Sequence, residues 1–314
     1  MSAATVGALE RLDALAAKQD LELRADVALA PLTTLRVGGP ADRLAAPSSV
    51  EDVVALLRLA ADAGVPTFML GKGSDIVVAD AGVRGLVIRT RADDVAIDGT
   101  RLRADAGASM TALAKRCAHD GLAGFDWAIS IPGSFGGAIW ANAGAHDGDM
   151  AGVLREVDVY DPRDGRRRTL DAAECAFAYR DSRFKHGPEV VLGGTIELER
   201  GDPAAITALV DAHQAHRRAT QPLADQNAGS VFRNPPADHA GRLIEAAGLK
   251  GHRIGTAQVS QLHANFIVTD RGGARAADVR AVGDDVRATV AERFGVQLRY
   301  EIEFVGEWPS EARA

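Results

Sequence analysis

Glycine is the feature that most constrains how this chain can fold, because it makes up 33 of the 314 residues and is concentrated in clusters. Each glycine costs backbone entropy on folding and is used where φ is positive or where a backbone must approach another group closely. The clusters are Gly38-Gly39, residues 71–74 (GKGS) and residues 132–137 (PGSFGG), with Asn142-Ala143-Gly144 soon after the last. We therefore expect tight turns or ligand contacts at these three places.

The glycine clusters match neither of the two common phosphate-binding motifs. None has the G-x-G-x-x-G spacing of a Rossmann fold or the G-x-x-x-x-G-K-[ST] spacing of a P-loop. Consecutive backbone N–H groups exposed by glycine still form anion sites, and a serine hydroxyl adds a donor. The alternative is a set of tight turns between short strands, which we favour for Gly38-Gly39. Two dense clusters in one half of the chain favour a bound dinucleotide such as FAD.

Composition excludes several classes of protein. With 46% hydrophobic and 25% charged residues the chain can build about two ordinary domains. Its net charge of -7 gives no support to general nucleic-acid binding. Its two cysteines, Cys117 and Cys175, cannot form a disulfide framework, which favours a reducing cytosol. No stretch resembles a signal peptide or a membrane span, so we expect a soluble, cytoplasmic protein, with a monomer as the default.

Apolar periodicity predicts an α+β fold in three parts, with boundaries at 1–92, 93–202 and 203–314. The second part is expected to contain a mixed sheet. The predicted helices cover residues 9–16, 50–63, 110–119, 203–218, 240–247 and 277–294. The predicted strands cover residues 66–70, 76–78, 86–89, 95–97, 102–104, 157–160, 190–199, 264–268 and 297–305, with a strand, turn and strand over 35–47.

Four polar positions are candidates for chemistry, and each also has a structural interpretation. Arg180, in the charged stretch 179–185, suits recognition of a carboxylate or phosphate, or is half of a solvated Arg-Asp pair. Ser230 is a proton donor or a turn serine. Lys250 contacts a ligand or follows a helix as a solvated lysine. Glu301 shares one face of the last strand with Glu303, which is normally the solvated face.

His213 and His216 are three residues apart on a predicted helix, a spacing that could offer two metal ligands. No third ligand is evident near them, and Arg217 and Arg218 would oppose a cation. We therefore predict a charged helix face and no metal site.

Taken together, these stretches resemble the UDP-N-acetylenolpyruvoylglucosamine reductases, in their shorter, type II form. The resemblance covers nearly the whole chain, from residue 33 to Glu301. Its motifs are residues 33–42 (TTLRVGGPAD), 131–137 (IPGSFGG), 142–144 (NAG), 179–185 (YRDSRFK), 221–223 (QPL), 229–235 (GSVFRNP), 246–251 (AAGLKG) and 259–266 (VSQLHANF). So many ordered matches are far more specific than any one of them.

The resemblance implies an FAD-binding region of the vanillyl-alcohol-oxidase type, in two parts, followed by an α+β substrate domain. NADPH would reduce a non-covalently held FAD, and flavin N5 would then pass hydride to the enolpyruvyl group of UDP-N-acetylglucosamine enolpyruvate, giving UDP-N-acetylmuramate for peptidoglycan synthesis. Arg180 and Glu301 would stabilise the enolate charge, with Glu301 as a protonated donor, and Ser230 would donate the proton.

Binding residues are implied by the same resemblance. The candidate cofactor-binding residues are Gly71, Lys72, Gly73, Ser74, Asp75, Ile131, Pro132, Gly133, Ser134, Gly136, Gly137, Asn142, Ala143 and Gly144. The candidate substrate-binding residues are Tyr179, Arg233, Asn234 and Lys250.

Three positions depart from the family pattern. Asp75 stands where asparagine is usual, and its carboxylate would repel a pyrophosphate unless it turns away or pairs with a cation such as Lys72. Ser130 replaces a glycine, and Trp140 replaces a smaller or basic residue.

Two other functions fit parts of this pattern. An FAD-dependent oxidase of the same fold often tethers its flavin through a histidine in the first glycine loop, and residues 71–75 contain none. A non-catalytic nucleotide-sugar binding protein would not need the Arg180, Ser230 and Glu301 set.

Overall fold

The computed structural model of the chain describes residues 3–309. Contacts divide the chain into two compact units. Unit one comprises Met1–Arg24, Arg43–Gly71 and Gly85–Arg217, and unit two comprises Ala25–Asp42, Lys72–Arg84 and Arg218–Ala314. The three-part division at residues 92 and 202 remains a prediction.

The described chain contains both helices and sheets whose pairings are mostly antiparallel, which confirms the α+β class. The α-helices are α1 Ala3–Ala17, α2 Val50–Ala63, α3 Met110–His119, α4 Phe135–Ala141, α5 Met150–Val153, α6 Pro203–Thr220, α7 Ala240–Ala246 and α8 Ala276–Phe294. The strands are β1 Arg24–Ala28, β2 Pro40–Ala45, β3 Thr67–Leu70, β4 Ile76–Val78, β5 Val83–Arg89, β6 Val95–Asp98, β7 Arg101–Asp105, β8 Leu122–Ala123, β9 Gly144–Ala145, β10 Gly148–Asp149, β11 Leu154–Asp161, β12 Arg166–Asp171, β13 Val190–Glu197, β14 Glu199–Arg200, β15 Gln226–Asn227, β16 Arg253–Ile254, β17 Ala257–Val259, β18 Ile267–Thr269 and β19 Glu303–Val305.

None of the helices in the described part of the chain combines the length and the apolar character that a membrane crossing requires.

The first core of unit one lies where α1 and α2 pack near β3 and β5, which pair in parallel. Helix α2 begins where the sequence predicts, because the Ser49 hydroxyl accepts the Asp52 N–H and satisfies a donor that the first turn leaves unpaired. It ends at Gly64, whose φ of 70° is the left-handed conformation that a helix C-cap favours. Local signals alone thus set both ends of α2.

The second core of unit one is covered by a five-stranded sheet of order β12-β11-β13-β7-β6. Every pairing in this sheet is antiparallel, so the prediction of a mixed sheet is wrong. The physical reason is the connections: β6 to β7 and β11 to β12 are short hairpins, and a hairpin joins only antiparallel strands. Helix α4, inside the glycine-rich stretch, packs its apolar face into this core.

Unit two is built on α8, which packs with α7 against the sheet β15-β18-β17-β16. The carboxylate of Asp80 accepts the N–H groups of Ala276 and Ala277 at 2.8 and 3.0 Å. These are the first N–H groups of α8, so a negative charge sits at the positive end of the helix. Strand β19 pairs in parallel with β4, with Phe304 opposite Val77.

Three predicted strands of unit two are wrong, displaced or too long. The strand expected over 264–268 begins only at Ile267, as β18, because the Phe266 N–H donates to the His263 carbonyl and closes a turn before it. The strand expected from residue 35 is absent, because Arg36 has φ 58° and Gly38 has φ 119°, neither compatible with extended backbone. The strand expected over 297–305 is reduced to β19. Glu301 precedes it and donates its N–H to the Val231 carbonyl, whereas Glu303 donates to that of Asp75. Because the chain changes partner between them, Glu301 and Glu303 do not share a strand face.

The Gly38-Gly39 turn is a structural close approach, as predicted. A Cβ on Gly39 would lie 2.1 Å from the Asp80 carbonyl oxygen, and a Cβ on Gly82 would lie 1.9 Å from that of Pro40. Real Cβ atoms cannot occupy these positions, so both glycines are needed to bring the two segments together.

Replacing Gly82 by alanine tests this close approach. Both Gly82 and Gly99 have a positive φ, of 87° and 59°. A methyl group on Gly82 would clash with the Pro40 carbonyl, whereas one on Gly99, in the β6–β7 turn, would have nothing within 4 Å. Gly99→Ala should cost only the left-handed strain, about 1 kcal/mol. Gly82→Ala should cost about 2 kcal/mol more, because overpacking adds about 1–3 kcal/mol. Urea unfolding of both variants gives the comparison, and equal losses would contradict the close approach.

Candidate active site

The two glycine clusters predicted to bind the cofactor meet in unit one. Gly71 follows β3, and a Cβ on it would lie 2.4 Å from the Oγ of Ser134. Ser134 is the N-cap of α4, and its Oγ accepts the Gly137 N–H at 3.3 Å. The cluster at 132–137 is thus the start of a helix and is placed directly against the end of the first cluster.

The rest of the second cluster is fixed by unit one itself. The N–H groups of Phe135 and Gly136 donate to the carbonyls of Ala108 and Ala106. A Cβ on Gly136 would lie 2.6 Å from that of Ala106, so only glycine allows this contact. Gly137 is exposed. The absence of side chains at Gly71 and Gly137 leaves room for an anionic group such as a dinucleotide pyrophosphate to approach the backbone.

The remainder of the first cluster, from Lys72 onward, belongs to unit two. Gly73 has φ 61°, and its carbonyl accepts both the N–H and the hydroxyl of Thr34, at 2.9 and 3.3 Å. Lys72 is exposed, and the Asp75 carbonyl accepts the Glu303 N–H. This loop is therefore held by its backbone, and a cationic partner for the Asp75 carboxylate stays a prediction.

Arg180 lies in unit one on a short loop and has a left-handed backbone, with φ 56°. Its Nη2 donates to the Gly144 carbonyl at 2.6 Å, and its guanidinium carbon lies 5.2 Å from the ring centroid of Tyr179. Tyr179 is 55% exposed, an unusual position for a large aromatic side chain. An arginine and an exposed tyrosine side by side suit a ligand with a charged group and a flat or polar group.

Asn142 is buried, and its side chain is engaged within the protein. Its Nδ2 donates to the Ala178 carbonyl at 2.9 Å and to Asp149 at 3.4 Å, and its Oδ1 accepts the Ala151 N–H. Both amide hydrogens and the oxygen are thus in use. Any contact that Asn142 makes with a cofactor would have to come from its backbone.

Ser230 lies in unit two beside the segment that carries Glu301. The Glu301 N–H donates to Val231 at 2.8 Å, and the Arg233 N–H donates to Arg299 at 2.9 Å. The serine and the glutamate, 71 residues apart in the numbering, are thereby placed on neighbouring antiparallel segments. Two of the three predicted catalytic residues are brought together by backbone pairing.

The Ser230 segment is held by Asn265, which is 4% exposed. Its Oδ1 accepts the Phe232 N–H at 3.0 Å, its Nδ2 donates to the Phe232 carbonyl at 2.8 Å, and its own carbonyl accepts the Val231 N–H. One side chain thus satisfies both backbone groups of the residue two positions from Ser230. We did not single out Asn265 from the sequence, where the only signal is its place in the 259–266 motif.

A cavity of about 440 Å³ opens beside Ser230 in unit two. It is lined by Ser230, Asn234, His239, Gly241, Arg242, Glu245, Leu262, His263, Ala264 and Asn265. Its ionisable side chains are those of His239, Arg242, Glu245 and His263, and Arg242 is paired with Asp238, so the cavity suits a polar ligand. His239, Arg242 and His263 were not predicted from the sequence.

The predicted substrate-binding residues of unit two have mixed positions. Asn234 lines the cavity, and its Oδ1 accepts the Ala240 N–H at 3.1 Å. Lys250 pairs with Glu245, a cavity residue, at 2.8 Å. The Nε of Arg233 is buried with no hydrogen-bond acceptor among residues 3–309. An unpaired buried guanidinium nitrogen is costly, which favours an anionic partner for Arg233.

His263 is a neutral donor in this cavity. Its Nδ1 accepts the Asn265 N–H at 3.2 Å, so in the neutral ring the proton is on Nε2. Burial is the main cause that lowers the pKa of His263, and the charge of Lys250 acts in the same direction. The ring therefore remains neutral near pH 7 and can donate one hydrogen bond.

His213 and His216 form part of a histidine cluster in unit one. The His213 ring stacks on that of His146 at 3.8 Å and its Nε2 contacts Asp126, while the His216 ring lies 6.0 Å from His146. His146 also hydrogen-bonds to Ser130 at 2.9 Å. Within residues 3–309 no group of histidine, cysteine or carboxylate side chains is arranged to hold a metal.

Comparison with known proteins identifies the two halves of this architecture. A family model described as an FAD binding domain matches residues 41–171, and one described as the C-terminal domain of UDP-N-acetylenolpyruvoylglucosamine reductase matches residues 221–305. With the glycine clusters in contact and a separate polar cavity, the chain is a flavin-dependent oxidoreductase. The cofactor predicted from the sequence, FAD, is confirmed.

Whole-chain comparisons define the family. UDP-N-acetylenolpyruvoylglucosamine reductase 2 of Symbiobacterium thermophilum is 47% identical, covering 88% of this chain and 90% of its own length. The reductase of Heliobacterium modesticaldum is 46% identical over 88% of each chain. The crystal structure of the Thermus caldophilus reductase is 33% identical, with a TM-score of 0.76 over 92% of this chain and 99% of its own. The chain belongs to the UDP-N-acetylenolpyruvoylglucosamine reductase family.

The histidine cluster predicts a pH dependence of stability. Partial desolvation, followed by the charges of His213 and His216, lowers the pKa of His146, against the opposing charges of Asp126 and Asp147. The unfolded chain then binds a proton as the pH falls through about 6.5 while the folded chain resists it, so the free energy of unfolding decreases below that pH.

Thermal unfolding at pH 7.5 and 5.5 tests this dependence. Between pH 7.5 and pH 5.5, the melting temperature of His146→Gln should fall by about 1–2 °C less than that of the unsubstituted protein. His119→Gln is the control. Because the His119 side chain is 85% exposed, this substitution should leave the fall in melting temperature unchanged. Equal losses in all three proteins would show that His146 titrates normally.

Proposed function

We propose that this protein reduces the enolpyruvyl group of UDP-N-acetylglucosamine enolpyruvate, with NADPH as the electron donor. The family membership and the FAD-binding domain support a reductase of this class. The observation that carries the proposal is the position of Ser230, which lines a polar cavity and lies beside the segment of Glu301. The substrate gains a hydride and a proton, and NADPH becomes NADP⁺, so electrons and atoms balance.

The glycine clusters would hold the cofactor. Residues 71–75 would offer backbone donors to the pyrophosphate. In 131–137 the N–H groups of Ile131 and of residues 135–137 already donate within the protein, so Gly133 and Ser134 would be the donors there, and 142–144 would follow as the end of the same cradle. When bound, FAD accepts hydride from one molecule and passes it to another, which lets the two substrates react in turn. The protein's own part is to place the reacting groups and to supply charge and a proton.

Arg180 and Glu301 would stabilise negative charge on the substrate carboxylate. Hydride addition to the vinyl carbon distal to the ether oxygen pushes charge towards that carboxylate as an enolate. The guanidinium of Arg180 is planar, permanently charged and suited to a carboxylate. One of its nitrogens donates to Gly144, which fixes the plane in which the remaining N–H groups point. Such preorganised charge is often the largest contribution to rate acceleration.

Ser230 would donate the proton to the ether-bearing carbon. A serine hydroxyl is a weak acid, so its role needs an acceptor as basic as an enolate. Asn265 and the Glu301 pairing hold the backbone on the C-terminal side of Ser230, which limits the movement of its hydroxyl. A well-placed weak acid can then meet a strong base at hydrogen-bond distance.

The UDP group would be bound by the basic residues of unit two. Asn234 lines the cavity, Lys250 pairs with the cavity residue Glu245, and the buried Nε of Arg233 has no acceptor among residues 3–309. Tyr179, exposed beside Arg180, would contact the nucleotide sugar from unit one. Charge-assisted hydrogen bonds to a diphosphate are about twice as strong as neutral ones.

The two half-reactions of Ser230→Ala test this proposal. Anaerobic mixing with NADPH should bleach the flavin absorbance in the variant as in the unsubstituted protein. Reoxidation by the enolpyruvyl substrate should then slow by about 100-fold or more, the usual contribution of a positioned acid. Ser48→Ala, at an exposed serine, is the control.

Two outcomes would contradict the proposal. Failure of NADPH to bleach the flavin of the unsubstituted protein would favour an oxidase or a binding protein. Normal reoxidation of Ser230→Ala would remove Ser230 from the role of acid.

A further inference from the structure

The loop that carries Arg180 is tied to the end of α4 by side chains. The indole Nε1 of Trp140 donates to the Phe184 carbonyl at 2.9 Å, and the hydroxyl of Ser182 donates to the Trp140 carbonyl at 2.6 Å. The ammonium group of Lys185 lies 4.3 Å from the centroid of the Trp140 ring. Trp140 thus makes three contacts with the loop, all on the C-terminal side of Arg180.

The other side of the loop is tied as well. The Nδ2 of Asn142 donates to the Ala178 carbonyl, and Arg180 itself donates to Gly144. We call these contacts of Trp140, Asn142 and Gly144 with residues 178–185 the arginine clamp. Both flanks of Arg180 are therefore attached to one short stretch of chain after α4.

Arg180 needs such support because its own backbone is unfavourable. A φ of 56° costs a residue with a Cβ about 1–2 kcal/mol relative to the right-handed region. Within the loop, Ala178 and Asp181 exchange backbone hydrogen bonds of 3.1 and 3.0 Å, and the Asp181 carboxylate accepts the Ser182 N–H. Contacts from the stretch after α4 join this turn to the rest of unit one and so help to determine where the guanidinium lies.

We propose that Trp140 is a positioning residue for Arg180. It is not proposed to contact the reacting atoms. Its indole donates to the Phe184 carbonyl and its ring faces the Lys185 ammonium group, and these contacts limit the movement of the residues that follow the turn of Arg180. This inference rests on the role of Arg180 under the proposed function. A displacement of about 1 Å at a reacting group can cost about 100-fold in rate, so a small relaxation of this loop is measurable.

Trp140→Phe is the direct test, and Trp127→Phe is its matched control. Trp127 also lies in unit one and also donates its indole Nε1 to a backbone carbonyl, that of Gly124, at 3.1 Å. Both substitutions keep an aromatic ring and remove one indole hydrogen bond. Only the first removes a bond of the arginine clamp.

The kinetic result should be confined to one half-reaction. In Trp140→Phe, reoxidation of the reduced protein by the enolpyruvyl substrate should slow about tenfold, while flavin content and reduction by NADPH stay within about twofold. Trp127→Phe should be unchanged in both half-reactions. Adding Trp140→Phe to Arg180→Ala should cause no further loss, because the tryptophan acts through the arginine.

Hydrogen exchange gives a second measurement that needs neither substrate nor flavin. Amides of residues 181–185 should exchange faster in Trp140→Phe than in Trp127→Phe or the unsubstituted protein. If Trp140→Phe does not fold, Ser182→Ala should give the same kinetic and exchange pattern, because the Ser182 hydroxyl joins the loop to the backbone carbonyl of residue 140 and also accepts the N–H of Phe184, the residue that the indole holds.

The outcomes separate this inference from the function on which it rests. If Arg180→Ala abolishes reoxidation but Trp140→Phe and Ser182→Ala leave it normal, Trp140 is not a positioning residue and the proposed function stands. Losses that add fully in the double variant would also overturn the inference. If Arg180→Ala itself reoxidises normally, the role of Arg180 in the proposed function is wrong and the inference falls with it.

Discussion

The candidate site depends on backbones that approach one another more closely than any side chain allows. A Cβ on Gly71 would lie 2.4 Å from Ser134, and a Cβ on Gly136 would lie 2.6 Å from that of Ala106. These approaches fix where α4 begins, and the seven residues of α4 then determine where Trp140 and the residues after it lie. The placement of Arg180 follows, because that stretch holds its loop. Glycine in this chain thus positions side chains at a distance.

In unit two the side chain of Asn265 holds a backbone segment in place, as the glycine contacts do in unit one. Asn265 pairs with both backbone groups of Phe232, as Asn142 pairs with Ala178 and Ala151 in unit one. A buried amide that pairs with backbone groups on both its nitrogen and its oxygen holds a loop at one position without adding charge near the reacting groups. Binding of an anionic nucleotide depends on the hydrogen-bond donors at its site, so the net charge of -7 of the whole chain does not oppose it.

Local signals in the sequence were enough for elements whose ends are determined by neighbouring residues. Ser49 and Gly64 gave the bounds of α2, and the apolar spacing gave α3 as Met110–His119. The sequence could not predict elements that depend on distant partners. The parallel pairing of β19 with β4 shortens the last strand, and the left-handed Arg36 removes another. Neither effect changes the spacing of apolar residues in the sequence, so that spacing could not predict it.

The candidate site divides in the same way. The resemblance to the family, which rests on motifs of several consecutive residues, identified Arg180, Ser230 and Glu301. Glycine content and spacing identified the glycine clusters. The residues that hold these groups, such as Asn265 and Trp140, were not assigned that role. Their hydrogen bonds reach 33 and 44 residues along the chain, beyond any local pattern.

The most direct test of the central claim is the mass of the product formed from the enolpyruvyl sugar nucleotide with limiting NADPH. We expect a product heavier than the substrate by two hydrogen atoms, formed in a one-to-one ratio with NADP⁺. Oxidation of NADPH with the sugar nucleotide unchanged in mass would contradict it.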